Sequence, residues 1–419
     1  MANDLSPADR VCDVLVAGSG LAGLTAAIAF AAVGFDVVCC GTTEKAAPGR
    51  TVALLDRSVA YLDSLGIWAL LEPESAPMRA LRIVDDTGAL FPPRLVEFLA
   101  SEIGLDAFGW NVENEKLAER LAKAAAETSR LERRTAPVAA YDFAGERAAA
   151  RLADGGLMQS AIIVGADGRS SLAARSAGLT ARVHRYPQSA LTTFLAHRLP
   201  HRDVSTEFHT REGPFTLVPL PGTDVAPNRS SLVWVMSDSV AGRRAALNDE
   251  ALALEIERHA HSLLGAMQVD GPRGLFPMAR QTLGKITAQR LALVGDAAHA
   301  FPPIGAQGLN LGLRDVQALV EIVLEARAEG GDIGSPTALA RYERARASDI
   351  LMRTSAVDGL NRALLSGFAP IDFARGAGLA ALAAIGPLRR FVMREGVAPR
   401  SARERTAPTI RHKGDHLPG

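Results

Sequence analysis

The sequence predicts an α/β fold: a Rossmann-like domain assembled from separated stretches of chain, with an inserted β-sheet domain and C-terminal helices. Three observations predict it. A glycine-rich turn joins a buried strand to a small-residue helix near the N-terminus. Further short buried strands bounded by glycines occur near 162 and 292. Alternating apolar and polar residues, the mark of half-buried strands, fill the stretch from Leu191 to Met236. With 419 residues, 48% of them hydrophobic, the chain is long enough for two or three domains.

The elements follow in order. Val14 to Phe35 is an uncharged run of 22 residues, long enough to cross a bilayer. It divides internally, however, and polar MANDLSP precedes it without a basic signal-type segment. Asp13–Ala17 reads as a strand, Leu21–Val33 as a helix and Asp36–Cys40 as a second strand, a βαβ unit. A helix is expected over Leu54–Leu65, strands over Ala80–Leu90, an amphipathic helix over Asn114–Thr128 and a strand pair over Ala139–Ala153. Ala161–Val164 and Leu291–Val294 are short buried strands. PFTLVPL and SSLVWVM read as strands around a Pro/Gly loop. A long helix starts near Leu309, residues 336–395 are mostly helical, and the tail from Arg400 is polar.

Composition excludes several classes. Lys+Arg and Asp+Glu both number 46, so the balanced charge gives no footprint for nucleic acid. Cys12, Cys39 and Cys40 form no disulfide framework or zinc spacing, and a reducing cytoplasm is the natural compartment. There is no HExxH and no GxSxG. The nine histidines show no metal grouping, so no metal is expected; His197 and His201 read as surface residues, and His299 as a packing or cofactor-edge residue.

Three segments carry chemistry. Gly18-Ser19-Gly20-Leu21-Ala22-Gly23 fits GxGxxG between a strand and a helix, the context in which glycines admit a dinucleotide pyrophosphate to a helix N-terminus. The acid that should end the second strand and bind ribose is missing: that strand ends Cys39-Cys40-Gly41, leaving Thr42, Thr43 or Glu44 as substitutes. VGADGRSS, 164–171, sets an Asp-Gly turn after a buried strand. LALVGDAAHAFPPIGAQGLNLGLRD, 291–315, delivers Gly295-Asp296 at a strand end, where a short carboxylate can bind sugar or ribityl hydroxyls. The following Pro/Gly loop leads into a helix whose N-terminus favours negative charge. Asp296 is therefore expected to matter far more to cofactor retention than Asp315, which falls inside that helix.

GSGLAG, VGADGRSS and LVGDAAH…PPIGAQGLNLGLRD are similar to the three signature segments of FAD-dependent aromatic hydroxylases of the para-hydroxybenzoate hydroxylase fold. SAVDGLNRALL and PLRRFVMREG, with GWNVENEKL and GPFTLVPL, resemble the ubiquinone-biosynthesis hydroxylase family in particular, over roughly residues 10–395. The resemblance implies an FAD-binding domain from residues 1–75, 111–183 and 286–345. It implies a substrate domain from 76–110 and 184–285, with a helical region and tail over 346–419. It implies FAD as cofactor, with Gly18, Gly20, Leu21, Ala22 and Gly23 holding the pyrophosphate, Arg50 approaching it and Asp167 near the nucleotides. Gly295 and Asp296 would bind the ribityl chain, and Pro303, Gly305, Gly308, Leu309 and Asn310 would line the flavin.

The reaction so implied takes hydride from transiently bound NADH or NADPH. It then transfers one oxygen of O₂, through a flavin C4a-hydroperoxide, to the ring of a polyprenylated phenol. No acid–base residue is identifiable. Partners would be the phenolic lipid and O₂, with peripheral contact at the inner face of the cytoplasmic membrane or a place in a biosynthetic assembly. The apolar stretch Gly376–Phe391 is either that contact or an ordinary packed helix with a basic end. A tail groove is expected between the inserted sheet and the C-terminal helices, with PFTLVPL and SSLVWVM as its sheet wall and Leu364 to Phe391 as its cover. The alternatives are a hydroxylase of a small soluble phenol and a flavin-dependent prenyl-lipid reductase. A nucleotide-binding module without chemistry fits poorly with three retained cofactor segments.

Overall fold

The apolar run around Val14–Val16 lies in the strand Arg10–Ala17, which is paired on both sides and buried on both faces, so it reads as continuous rather than alternating. The structure is a computed structural model that describes residues 9–42, 48–87, 95–301, 307–365 and 384–397. Five parallel strands stand in the order Leu291–Leu293, Leu157–Gly165, Arg10–Ala17, Val37–Cys40, Leu131–Arg134. Each fully buried Val, Leu or Ile here stabilises the sheet by about 1.5–3 kcal/mol relative to exposure. Helix Leu21–Ala32 follows the first strand and packs against helices Asn114–Glu127 and Gln307–Ala328. Arg327, in the last turn of the third, donates to the carbonyls of Val33 and Gly34 and stacks on Phe35, locking the two helix ends together. All three cysteines are buried and free; burial pushes their thiols up to about 12, so they pack as small neutral groups.

The parallel register places four chain exits on one edge. Ala17 pairs with Gly165 and with Cys40, and Gly165 with Leu293. Gly18, Gly41, Asp167 and Asp296 therefore all leave the sheet at its carboxyl end, where open α/β sheets bind ligands.

The second, nine-stranded sheet is antiparallel except where Val204–His209 runs parallel to Ala80–Asp85. Its long central strand, Ala181–His197, pairs with Arg229–Ser237 and Gly274–Leu283. Side chains alternate between faces. Leu191, Leu195, Leu232 and Trp234 pack with Leu252 and Ile256 of helix Asp249–His259. Thr192 and Val233, one residue on, belong to the other face, toward the first domain. Gln281 donates to the Arg169 carbonyl at 2.8 Å and tethers the two sheets.

Some expectations are corrected. Thr51–Leu55 is a strand, paired with Gly109–Glu113, and the helix starts only at Asp56 and runs to Ser64. Helices Asp238–Ala245 and Asp249–His259, and the strand Gly274–Leu283, were not foreseen. His197 is not a surface residue: it is buried, with Nδ1 at 2.8 Å from the Leu199 carbonyl and Nε2 at 2.9 Å from Ser230 Oγ, and burial lowers its pKa. His201 is half-buried. Among the described residues no helix is long and apolar enough to cross a membrane, and Val14–Phe35 divides into strand and helix.

Candidate active site

The glycine turn is built by close approach. Gly18 has φ +115°, donates to the Cys40 carbonyl at 2.7 Å, and a Cβ there would lie 2.3 Å from the Ala166 carbonyl oxygen. A Cβ on Gly23 would lie 1.9 Å from the Gly18 oxygen, so the helix can meet the turn only through glycine. Gly20 is different: it caps the helix in extended conformation, supplies no side-chain cap, and a Cβ there would have no atom within 4 Å. The first turn, which includes Leu21 and Ala22, carries no acidic residue.

The missing ribose acid has a steric cause. Gly41 has φ +158°, and a Cβ there would lie 2.8 Å from the Ser19 nitrogen. Ser19 Oγ in turn donates to the Thr42 carbonyl at 2.7 Å. A carboxylate side chain at 41 would press on the glycine turn itself. Thr43 and Glu44 lie outside the described residues, as do Pro303 and Gly305.

Asp167 accepts from the Ala173 N–H through Oδ2 at 3.0 Å, and its Oδ1 is buried with no partner among the described residues. Arg169 Nε lies 3.2 Å from Asp296 Oδ2, with both side chains about half-exposed. Arg50 stacks over Phe276, 4.9 Å from the ring centroid. Burial lowers its pKa, the Arg169 charge adds to that, and Asp296 opposes it.

Asp315 does not behave as an inert helix residue. It is fully buried; Oδ2 accepts from the Gly295 N–H at 3.0 Å and lies 2.7 Å from His299 Nε2, while Oδ1 accepts from Arg346 Nε at 2.7 Å. Burial alone would raise its pKa, but His299 and Arg346 outweigh that and hold it low. Arg346 also pairs with Asp349 at 3.0 Å. This network fixes the backbone from which Asp296 projects. Sequence reading missed it; the available signal was an aspartate, Asp315, on an otherwise apolar helix face. The Asn310 side chain is likewise structural: Oδ1 accepts from Leu55 N–H at 2.9 Å and Nδ2 donates to the Ala53 carbonyl at 2.7 Å. Gly308 and Leu309 are half-buried in the same first turn, and Gly312 lets that helix lie against Gly295.

A cavity of about 140 Å³ opens between the two sheets, walled by Arg50, Asp296, Phe301, Phe276, Thr192 and Val233. It adjoins a larger groove, about 1120 Å³, between helix Leu172–Ser176 and the outer ends of strands Ala181–His197 and Gly274–Leu283. Arg169, Pro277 and Ala279 line both. SSLVWVM contributes to the cavity wall through Leu232 and Val233, whereas PFTLVPL does not, and most of Leu364–Phe391 lies outside the described residues.

These residues fit FAD. Gly18 and Gly23 make a cradle that a Cβ would fill, Gly20 presents an open helix N-terminus, the buried Asp167 Oδ1 lacks a partner, and Asp296 stands ready at a strand end. Among the described residues no His/Cys/Asp/Glu group could hold a metal ion.

Comparison with known proteins agrees. A family model described as "FAD binding domain" matches residues 11–352. The chain is 36% identical over 400 residues to the ubiquinone hydroxylase UbiL of Rhodospirillum rubrum, covering 93% of this chain and 90% of that protein. It is 29% identical over 394 residues to the 3-demethoxyubiquinol 3-hydroxylase of Escherichia coli, covering 91% and 97%. Among solved structures, the p-nitrophenol 4-monooxygenase PnpA of Pseudomonas putida superposes with a TM-score of 0.75 at 18% identity, covering 93% of this chain and 99% of that one, a likeness of fold.

Proposed function

Because this chain belongs to the FAD-binding-domain family of flavoprotein hydroxylases, we propose that it hydroxylates the aromatic ring of a polyprenylated phenol in ubiquinone biosynthesis. The observation that carries the reading is the convergence of Gly18, Asp167 and Asp296 on one sheet edge, facing a cavity closed by the second sheet. FAD, reduced by NADH or NADPH, supplies the redox and oxygen chemistry when bound. The protein binds, orients and excludes water. The turn from Gly18 to Gly23 receives the pyrophosphate, Arg50 neutralises it from across the cavity, and Asp296 holds the ribityl hydroxyls. Gly308, Leu309 and the backbone of Asn310 form the helix N-terminus facing the flavin, and Phe276 and Phe301 keep the ring site dry. The corresponding division of the chain sets 1–75, 111–183 and 286–345 in the cofactor half and 76–110 and 184–285 in the substrate half.

The test is coupled turnover. Purified, FAD-loaded protein given NADH or NADPH and a short-chain prenylated phenol is expected to consume O₂ and yield the ring-hydroxylated product by mass analysis. Far better turnover of small soluble phenols than of their prenylated counterparts would replace this reading with the small-phenol one.

A lipid substrate also calls for access to a membrane. Helix Gly386–Val397 is anchored on one side: Arg389 bonds Glu102 and stacks over Phe98, and Met393 is buried beside Val96 and Phe108. On its outer side Leu388, Phe391 and Val392 remain 40%, 52% and 42% exposed, flanked by exposed Arg390 and Arg394. This face suits peripheral contact with an anionic lipid surface. Flotation with phosphatidylcholine vesicles containing phosphatidylglycerol is expected to recover the protein, and Leu388→Ser with Phe391→Ser to reduce recovery several-fold. Undiminished flotation of the double variant would rule this face out.

A further inference from the structure

The cavity beside the cofactor site has the size of one aromatic ring. A cavity of roughly 150 Å³ lined by apolar side chains binds benzene; this one is about 140 Å³. Its sheet wall includes Thr192, Val233, Phe276, Pro277 and Ala279, none of them charged. The charged lining groups are Arg50, which lies over the Phe276 ring, Arg169 and Asp296. Arg169 and Asp296 are paired with each other at 3.2 Å, and in the function proposed above Arg50 is taken by the pyrophosphate. With FAD bound, a ring carrying a carboxylate would therefore meet no free cation among the described lining residues, and an unpaired buried carboxylate is strongly disfavoured.

One polar atom interrupts that wall. Thr192 is 4% exposed, and its Oγ1 has no hydrogen-bond partner among the described residues. Among the described residues it is the one buried, unpartnered polar side-chain atom that belongs to a residue lining either cavity. The neighbouring ladder position is Gly274, paired with Thr192 in register. A Cβ at Gly274 would lie 2.8 Å from Thr192 Oγ1 and 2.3 Å from the Phe276 ring, so only glycine leaves room for both. Buried hydroxyls are ordinarily satisfied, and an unsatisfied one costs stability unless something else bonds it.

We propose that Thr192 is the positioning residue for the substrate's ring oxygen, and that the site selects an uncharged phenol against its carboxylated counterpart. This rests on the reading of the cavity as the ring site of an aromatic hydroxylase, and it adds the substrate class. The hydroxyl fixes which edge of the ring faces the flavin; Phe276, Phe301 and Val233 hold the remainder by apolar contact.

The test uses FAD-loaded enzyme titrated with 4-methylphenol, 4-hydroxybenzoate and toluene, read by the change in flavin absorbance. Wild type is expected to bind 4-methylphenol at least about tenfold more tightly than 4-hydroxybenzoate, a modest demand given the charge that must be buried. Thr192→Val should weaken 4-methylphenol about five- to tenfold, the scale of one neutral hydrogen bond. It should leave toluene and FAD affinity unchanged and raise the thermal stability of the unliganded protein, since an orphan hydroxyl is removed. Thr192→Ser should recover phenol binding, an outcome a purely structural role would not give. Equal or tighter binding of 4-hydroxybenzoate, or no change in phenol affinity in Thr192→Val, overturns the proposal while leaving the hydroxylase reading in place. If no ring compound perturbs the flavin and none is hydroxylated with NADH or NADPH, the hydroxylase reading falls and this proposal with it.

Discussion

Asp315→Ala is expected to lower stability by about 3–5 kcal/mol and to lose FAD, the scale for removing one partner of a buried ion pair. The substitution leaves His299 buried without its carboxylate and Arg346 with Asp349 alone, and it frees the Gly295 N–H that Asp315 holds at 3.0 Å. Asp296→Ala should behave differently. Its carboxylate is about half-exposed, so its pair with Arg169 adds little to stability. Loss of its charge-assisted hydrogen bond should cost FAD affinity about 1.5–3 kcal/mol with the fold intact. Thermal unfolding of the apoprotein and FAD titration separate the two. Equal unfolding temperatures for both variants would refute the hub role. The acid limb gives a second check. Folding holds the Asp315 pKa below its ordinary 3.8. Its contribution is therefore complete above that pH and is lost as pH falls through the lower folded value. Asp315→Asn should flatten the stability profile in that acidic window alone.

This expectation differs from the order that the sequence suggested for the two aspartates, and the reason is physical. A carboxylate after a buried strand announces itself by position, because strand ends at the carboxyl edge of a parallel sheet are where ligands bind. An aspartate within a helix announces nothing until its neighbours are known, and Asp315 meets His299, 16 residues before it, and Arg346, 31 residues after. The same division runs through the fold. The βαβ start, the helix Asn114–Glu127 and the strand before Gly295 were legible from period and glycine placement. Leu54 and Leu55 read as the start of a helix because the apolar residues of Thr51–Leu55 fit either period. Pairing with Gly109–Glu113, more than fifty residues on, decides for strand. Thr192 was invisible for a similar reason: only the register of three strands sets its face toward the cavity. His197 looks like a surface residue in a polar sequence, yet Ser230 and the Leu199 carbonyl satisfy both its ring nitrogens inside the sheet.

Within the glycine turn, Gly20→Ala and Gly23→Ala should fail in different ways. Gly20 has φ −73° and ψ −177°, a conformation open to any residue, and its Cβ would point into free space. The apoprotein should therefore fold and unfold as wild type does. That free space lies at the uncapped N-terminus of helix Leu21–Ala32, where N–H groups and the helix dipole await the pyrophosphate. A methyl group there should hold the phosphates off by more than a hydrogen bond tolerates. FAD affinity should drop at least about tenfold, since each hydrogen bond to a charged group is worth about 1.5–3 kcal/mol. Gly23→Ala places a methyl 1.9 Å from the Gly18 carbonyl oxygen, a backbone atom that cannot swing aside. The helix must separate from the turn, at a cost of about 1–3 kcal/mol or more for overpacking. Because Gly18 is held in turn by the Cys40 carbonyl at 2.7 Å, the displacement should reach the second strand and lower both apoprotein stability and FAD binding. FAD fluorescence titration alongside apoprotein melting reads both effects. A Gly20→Ala protein that binds FAD as tightly as wild type would show that the pyrophosphate does not pass over Gly20, and the assignment of this helix N-terminus would fail.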